Sequence, residues 1–179
     1  MSRIFLTSLI SFFIFSCGPK PQKGIEVHRS LESCIIEKFF SEEESDFGKY
    51  HIGMTRTAFQ DISNTGHLIQ NEDEVIDSIS LCGNEKAWCE ASFIFYEGRL
   101  TDITAAFFID EEKNVTVIFP LITEKLNEKY GPGVSEQGTM VWPTERNNKP
   151  YIVYLSDESI FYRRPVIKLM LVGEGKVGV

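Results

Sequence analysis

Four cysteines are the residues whose chemistry the sequence constrains most closely. Cys82 and Cys89 lie on either side of the turn-like stretch Gly83-Asn84-Glu85-Lys86. In an oxidising compartment the nearest pair of thiols is the natural disulfide, so this spacing predicts a Cys82–Cys89 bridge. A zinc site is the rival interpretation, but no second Cys-x-x-Cys or His pair supplies the remaining ligands.

Cys34 is left without a near neighbour of its own type. It lies beside Leu31, Ile35 and Phe39, which form an apolar stripe at helical spacing. This setting favours a buried and unreactive thiol over a nucleophile. A catalytic cysteine needs a histidine base, and the sequence does not place any of its three histidines beside Cys34.

Catalytic motifs of other kinds are missing from the sequence. It contains no Gly-x-Ser-x-Gly, no His-Glu-x-x-His and no phosphate-binding loop. The three adjacent glutamates in residues 41–48 lack the ligand order of a calcium loop, so this stretch predicts a solvated loop. We therefore expect a protein that is not an enzyme, with no catalytic residues, no bound metal and no cofactor.

Residues 1–16 have the organisation of a secretory signal peptide. The positive charge of Arg3 precedes an apolar run of about a dozen residues, and the first acidic residue is Glu26. Because a bilayer crossing needs roughly 20 apolar residues, this run is too short for a transmembrane helix. It predicts a segment that is cleaved on export.

The end of that run, Ile14-Phe15-Ser16-Cys17, resembles the lipobox of bacterial lipoproteins. The resemblance implies cleavage before Cys17 and acylation of its thiol and new amine, which would make Cys17 the lipidation site and palmitate a lipid substituent. Several acyl chains give stable membrane attachment, unlike a single myristoyl chain. The resemblance also implies a location in the cell envelope. Gly18 after the cysteine favours the outer membrane, and the periplasmic or surface face stays open.

Residues 17–24 are rich in proline and glycine and predict an extended, lipidated tether. The chain beyond it is acidic, with a formal net charge of −8 for the whole sequence. An acidic domain gains nothing from counterion release at phosphates, which excludes nucleic acid as an expected partner. The same charge repels anionic headgroups, so we expect membrane binding through the acyl chains on Cys17.

The folded part predicts an α+β class made of one or two helix-plus-antiparallel-meander units packed together. The first unit, residues 25–110, has a helix at about 31–40 capped by Ser30 and a short helix capped by Thr55. Alternating apolar residues and a reversal at Glu97-Gly98 predict three strands after these helices, at Glu74–Cys82, Trp88–Tyr96 and Leu100–Ile109.

The second unit, residues 111–179, repeats this order. Ile118, Ile122, Leu126 and Tyr130 mark one face of a helix, with Pro120 in its first turn and Gly131-Pro132-Gly133 at its end. Strands are predicted after it at Met140–Pro143, Tyr151–Ser156, Ser159–Arg163 and Val166–Val172. A true duplication and a chance likeness both stay open.

Around Ile52-Gly53-Met54-Thr55 and Phe59 the chain resembles the start of the BamE (SmpA/OmlA) family of outer-membrane lipoproteins. The sequence Leu100-Thr101-Asp102-Ile103 is similar to a strand of that family. The tandem order resembles the β-lactamase inhibitory protein architecture. These resemblances imply a non-catalytic protein that binds other proteins.

Aromatic residues on the predicted strands are the candidate binding face, namely Trp88, Phe93, Phe95 and Trp142. We expect a membrane-anchored envelope lipoprotein that binds another protein, with an assembly or structural role. The alternative functions are inhibition of an incoming hydrolase, whose approach an acidic domain would steer if the enzyme is cationic, and host-facing adhesion.

Overall fold

A computed structural model describes residues 30–63 and 69–173. The predicted signal peptide, Cys17 and the tether lie outside these residues. The fold is α+β, as predicted. The described helices are α1 (Leu31–Phe39), α2 (Arg56–Ile62), α3 (Glu112–Tyr130) and α4 (Ser159–Tyr162). The strands are β1 (Ile69–Gln70), β2 (Glu74–Leu81), β3 (Asn84–Tyr96), β4 (Arg99–Phe108), β5 (Val134–Glu136), β6 (Thr139–Arg146), β7 (Lys149–Asp157) and β8 (Val166–Gly173).

The first two helices begin where their caps were predicted. The Ser30 hydroxyl accepts a hydrogen bond from the Ser33 amide, and the Thr55 hydroxyl accepts one from the Ala58 amide. Each bond satisfies one of the free amides in the first turn of a helix. Helix α1 buries Ile35 and Phe39, and α2 buries Phe59 against the same core.

Helix α3 starts earlier than the sequence suggested. Its first residue is Glu112, so Pro120 lies in the interior of the helix rather than in its first turn. A proline there removes one backbone hydrogen bond. Pro120 is on the exposed side of the helix, where water can satisfy the freed carbonyl. Gly131 ends the helix as predicted, with a positive φ of 82° that suits a residue without Cβ.

The segment Ser159–Arg163, predicted as a strand, is the single helical turn α4. Side-chain hydrogen bonds explain the difference, because they offer the backbone an alternative to a sheet ladder. The Asp157 carboxylate accepts from the Ser159 amide at 2.9 Å, and the Ser159 hydroxyl accepts from the Val166 amide at 3.1 Å. These bonds close the connection between β7 and β8 into a compact turn.

The strands form one eight-stranded sheet in the order β1-β2-β3-β4-β8-β7-β6-β5. The last strands of the two predicted units, β4 and β8, pair antiparallel through the register Ala105↔Leu169 and join the two halves. A single hydrophobic core lies between one face of this sheet and helices α1, α2 and α3. Aromatic contacts such as Phe39 with Phe107 and Phe59 with Phe93 hold the helices on this inner face.

Candidate functional site

The opposite face of the sheet, the outer face, carries partly exposed apolar side chains. Alternation along each strand sends odd-numbered residues of β3 to the helices and even-numbered residues outward. The pairings Thr104↔Met170 and Met170↔Tyr154 form a row across the central strands. A neighbouring row contains the pairing Val172↔Ile152. We define the outer patch as six half-buried residues: Ile76, Ile94, Ile152, Tyr154, Met170 and Val172.

An aromatic cluster lies at one end of the outer face. The rings of Trp88 and Phe108 stack with centroids 4.8 Å apart. The Arg164 guanidinium lies over both rings, at 4.4 Å from the first centroid and 5.0 Å from the second. Arg164 Nε is buried and has no hydrogen-bond partner within residues 30–63 and 69–173, and the guanidinium is stabilised by cation–π contacts with the two rings. Tyr162 packs edge-on against Phe108 at 5.8 Å.

Helix α4 projects two large apolar side chains from this cluster. Ile160 is 96% exposed and Phe161 is 78% exposed; together we call them the α4 tip. The residues that follow the tip are held in place. Tyr162 and Arg164 pack in the aromatic cluster, and the Arg164 amide donates a hydrogen bond to the Ser159 carbonyl at 3.2 Å. A preorganised apolar projection loses little conformational entropy when it is bound.

The structure does not bring the four predicted binding aromatics to one face. Trp88 points outward, whereas Phe93 and Phe95 lie on the same strand at odd positions and are buried against α2. Trp142 is buried as well, and its indole N–H donates to the Asn127 side chain on α3 at 2.9 Å. The prediction of a shared aromatic face was wrong because successive side chains of a strand point to opposite faces of the sheet.

The predicted Cys82–Cys89 disulfide was also wrong. Cys82 lies in the β2–β3 turn and forms a disulfide with Cys34 of α1, with their Cα atoms 5.9 Å apart. Cys89 pairs with Ile79 further along the hairpin and is a free, fully buried thiol. Residues this far apart along two paired strands cannot be bridged, whereas α1 packs across the end of the hairpin.

The buried thiol is poorly suited to nucleophilic chemistry. Burial, assisted by the nearby charges of Asp77 and Glu90, raises the pKa of Cys89 well above its ordinary value. The thiolate is the reactive form, so Cys89 stays protonated and inert at neutral pH. Within residues 30–63 and 69–173, no three His, Cys, Asp or Glu side chains form a group able to hold a metal ion.

A buried carboxylate that sequence analysis missed organises the loop before α2. Glu42, Glu43 and Glu44 are exposed, but Asp46 in the same acidic stretch is buried. The prediction of a solvated loop therefore holds for its exposed glutamates but is wrong for Ser45, Asp46 and Phe47, which are buried. The carboxylate accepts hydrogen bonds from four donors: the Tyr130 hydroxyl at 3.0 Å, the Tyr151 hydroxyl at 3.0 Å, the Arg146 guanidinium at 2.9 Å and the Ile52 amide at 2.9 Å.

Three of these donors come from distant elements, so the Asp46 cluster ties the loop to α3, β6 and β7. Burial and the negative charge of Asp46 raise the pKa of Tyr151 to about 12. The same causes raise the pKa of Tyr130. Both phenols therefore remain donors at neutral pH. The cluster has a structural role, because its donors and acceptor satisfy one another and hold the loop against these elements.

The chain matches no protein-family model, no curated protein and no solved structure. None of the helices in the described part of the chain has the length and apolar character needed to cross a bilayer. Among the described residues, the outer patch is a partly exposed group of apolar side chains, and the α4 tip contains the two most exposed large apolar side chains.

Proposed function

We propose that the protein is a lipoprotein of the bacterial cell envelope, anchored through acyl chains on Cys17, and that it binds another protein through the outer patch. In this proposal the protein is not an enzyme and needs no cofactor. The observation that carries the proposal is a group of partly exposed apolar side chains on β7 and β8, on a sheet face that no long helix covers within the described residues.

The location is supported by two independent features. The sequence before Cys17 has the organisation of an export signal that ends in a lipobox-like motif. The Cys34–Cys82 disulfide suits an oxidising compartment, because reducing systems in the cytosol keep such thiols reduced. The outer membrane is the membrane that Gly18 favours.

Binding of a protein is supported by the shape and chemistry of the outer face. A sheet whose strands are paired on both sides changes little on binding, so the outer patch presents a preformed surface. Its central residues, Met170 and Tyr154, are of types enriched at protein interfaces. Tyr154, Met170, Ile152 and Val172 are neighbours on β7 and β8, and Ser92, Thr104 and Asp102 separate them from Ile76 and Ile94. A group of apolar side chains bordered by polar residues is typical of such interfaces. Glu90 and Lys168 lie on the next row of the outer face and supply that rim.

Substitution in the outer patch tests the binding proposal. Met170→Glu places a carboxylate at the centre of the patch, where a bound partner would bury it without a counter-charge. We expect crosslinked cells to yield at least about tenfold less of the partner than wild type does. The matched control is Val117→Glu, because Val117 is an apolar residue of α3 that is 49% exposed on the helical side of the molecule.

The proposal is supported when one protein is recovered in stoichiometric amount with wild type and Val117→Glu but is lost with Met170→Glu. Equal recovery with Met170→Glu, or no stoichiometric protein with wild type, contradicts it. Circular dichroism of each variant shows that the fold is retained. Incorporation of labelled palmitate into wild type but not into Cys17→Ser tests the anchor separately.

A further inference from the structure

The α4 tip is not explained by a binding role of the outer patch. Ile160 and Phe161 are exposed in the β7–β8 connection at one end of the sheet, whereas the patch lies on its face. Exposure of two large apolar side chains to water has an unfavourable free energy, which burial against another surface would remove. The identity of the covering surface follows from where the tip lies relative to the start of the folded domain.

The tip and the beginning of the domain lie at the same end of the sheet. The register Trp88↔Phe108 and Phe108↔Val166 places the start of β3, the end of β4 and the start of β8 together. Helix α4 leads into β8, and the β2–β3 turn leads into β3. Only β4 separates β3 from β8, so these two strands lie about 10 Å apart across the sheet and their connections are at the same end of it.

Helix α1 begins at this same end. Its Cys34 is bonded to Cys82 in the β2–β3 turn, and Cys82 Sγ lies 3.8 Å from the Ser30 carbonyl oxygen. The chain between Cys17 and Ser30 can span at most about 45 Å when fully extended. A lipid on Cys17 therefore limits this end of the sheet, with the α4 tip, to within about 45 Å of the bilayer surface and leaves the tip free to reach it.

The chemistry of the tip suits the interfacial region of a phospholipid bilayer. Ile160 and Phe161 supply apolar area, and Tyr162 behind them has the amphipathic ring found at that depth. Arg163 and Arg164 follow directly, and Asp157 and Glu158 precede, so the local charge is nearly balanced. The repulsion expected from the net charge of the whole chain is therefore weak at the tip, and insertion depends on apolar burial.

We propose that the α4 tip inserts into the surface of the bilayer that carries the lipid anchor, as a second membrane contact. This inference rests on the proposed lipidation of Cys17. Two contacts at one end of the sheet restrict how the domain can tilt. The domain then stands with the near ends of its strands at the membrane, and the outer patch faces sideways toward proteins of the same membrane.

Tryptophan fluorescence in vesicles tests the insertion. The full-length lipidated protein carrying Phe161→Trp is reconstituted in protein-free phosphatidylcholine vesicles, with and without bromine on the acyl chains. The wild-type signal of Trp88 and Trp142 is subtracted. We expect brominated lipid to reduce the remaining emission by about half or more, because bromine quenches only indoles within the bilayer.

The matched control is Tyr96→Trp, at an aromatic residue that is 61% exposed at the opposite end of β3. We expect no quenching there. Ile160→Trp is a second test position and should behave like Phe161→Trp. Absence of quenching at both tip positions, or equal quenching in the Tyr96→Trp variant, overturns the inference.

Two further measurements separate the possible failures. Palmitate labelling of the same preparation reports the anchor, so unlabelled protein shows that the proposed lipidation is wrong. Labelled protein without quenching at positions 160 and 161 shows that only the inserted tip is wrong. A photocrosslinker at position 161 that captures one protein in cells, with no quenching in vesicles, would assign the tip to a protein partner instead and overturn insertion.

Discussion

At the scale of single residues, Asp46 connects the acidic loop to three distant elements of the fold. Its carboxylate is buried and accepts hydrogen bonds from two tyrosines, an arginine and a backbone amide. Arg146 also donates to the Glu44 carbonyl and so holds the acidic loop from a second point. The loop precedes Gly53 and Thr55, which contact the β3–β4 hairpin. The Gly53 amide donates a hydrogen bond to the Leu100 carbonyl, and Thr55 forms an isolated β-bridge with Arg99.

Replacing Asp46 with alanine should lower the free energy of unfolding by about 3–5 kcal/mol, because it leaves the Arg146 charge and the buried phenols without their acceptor. Urea unfolding followed by circular dichroism measures the change. Glu43→Ala, at an exposed position of the same loop, should change stability by no more than about 0.5 kcal/mol. Similar losses of stability in the two variants would show that the hydrogen bonds of Asp46 do not stabilise the fold.

The two phenols of this cluster also predict a dependence of stability on alkaline pH. The pKa of Tyr151 is about 12 in the folded protein and lies near its ordinary value of 10.0 in the unfolded chain. The stabilisation of the folded protein by protonated Tyr151 is therefore complete below pH 10 and is lost as pH rises from about 10 to about 12. Between these values the unfolded chain releases a proton that the folded protein retains, which favours unfolding.

Unfolding free energies measured from pH 8 to 12 should decline most steeply in that window, and Tyr151→Phe should flatten the decline. Tyr130, whose pKa is also raised, should leave a residual slope in this variant. An unchanged profile in Tyr151→Phe would assign the alkaline sensitivity to other groups.

At the scale of elements, the Cys34–Cys82 disulfide joins helix α1 to the β2–β3 hairpin across a sequence separation of 48 residues. In the chain-entropy model, closing a loop of this length stabilises the folded state by about 4 kcal/mol. Cys34→Ser and Cys82→Ser should therefore each cost about 4 kcal/mol, since either change opens the same loop.

Cys89→Ala is the matched control, since this thiol is free and buried. It should retain the disulfide and lose only the packing of one sulfur atom, roughly 1 kcal/mol. Peptide mapping without reduction should give a crosslinked peptide that contains Cys34 and Cys82. A crosslinked peptide containing Cys89 would contradict the pairing.

At the scale of the whole molecule, the sheet separates two surfaces by direction. Helices α1, α2 and α3 cover its inner face, the outer patch occupies the opposite face, and the α4 tip extends from one end. Anchoring and insertion at that end would stand the sheet upright on the membrane. The outer patch would then face sideways, toward proteins of the same membrane. The loss of partner expected for Met170→Glu and the lipid quenching expected for Phe161→Trp therefore concern different surfaces and can be measured independently.

The sequence by itself determined the features that depend on neighbouring residues. The Ser30 and Thr55 caps, the Gly131 helix end and the Glu97-Gly98 reversal were predictable, because each depends on local backbone preference or on a hydrogen bond to a residue at most a few positions away. Alternation within the strands was visible for the same reason, and it led to the correct fold class.

Tertiary structure alone decided which residues meet across long separations. Asp46 contacts Tyr151, which lies 105 positions later, and Cys34 is bonded to Cys82 across a separation of 48 residues. Strand periodicity shows that Phe93 and Trp88 point to opposite faces, but only helix packing decides which face is buried. Such contacts depend on strand register and on the docking of helices, which are cooperative properties of the folded chain and leave no local signal in the sequence.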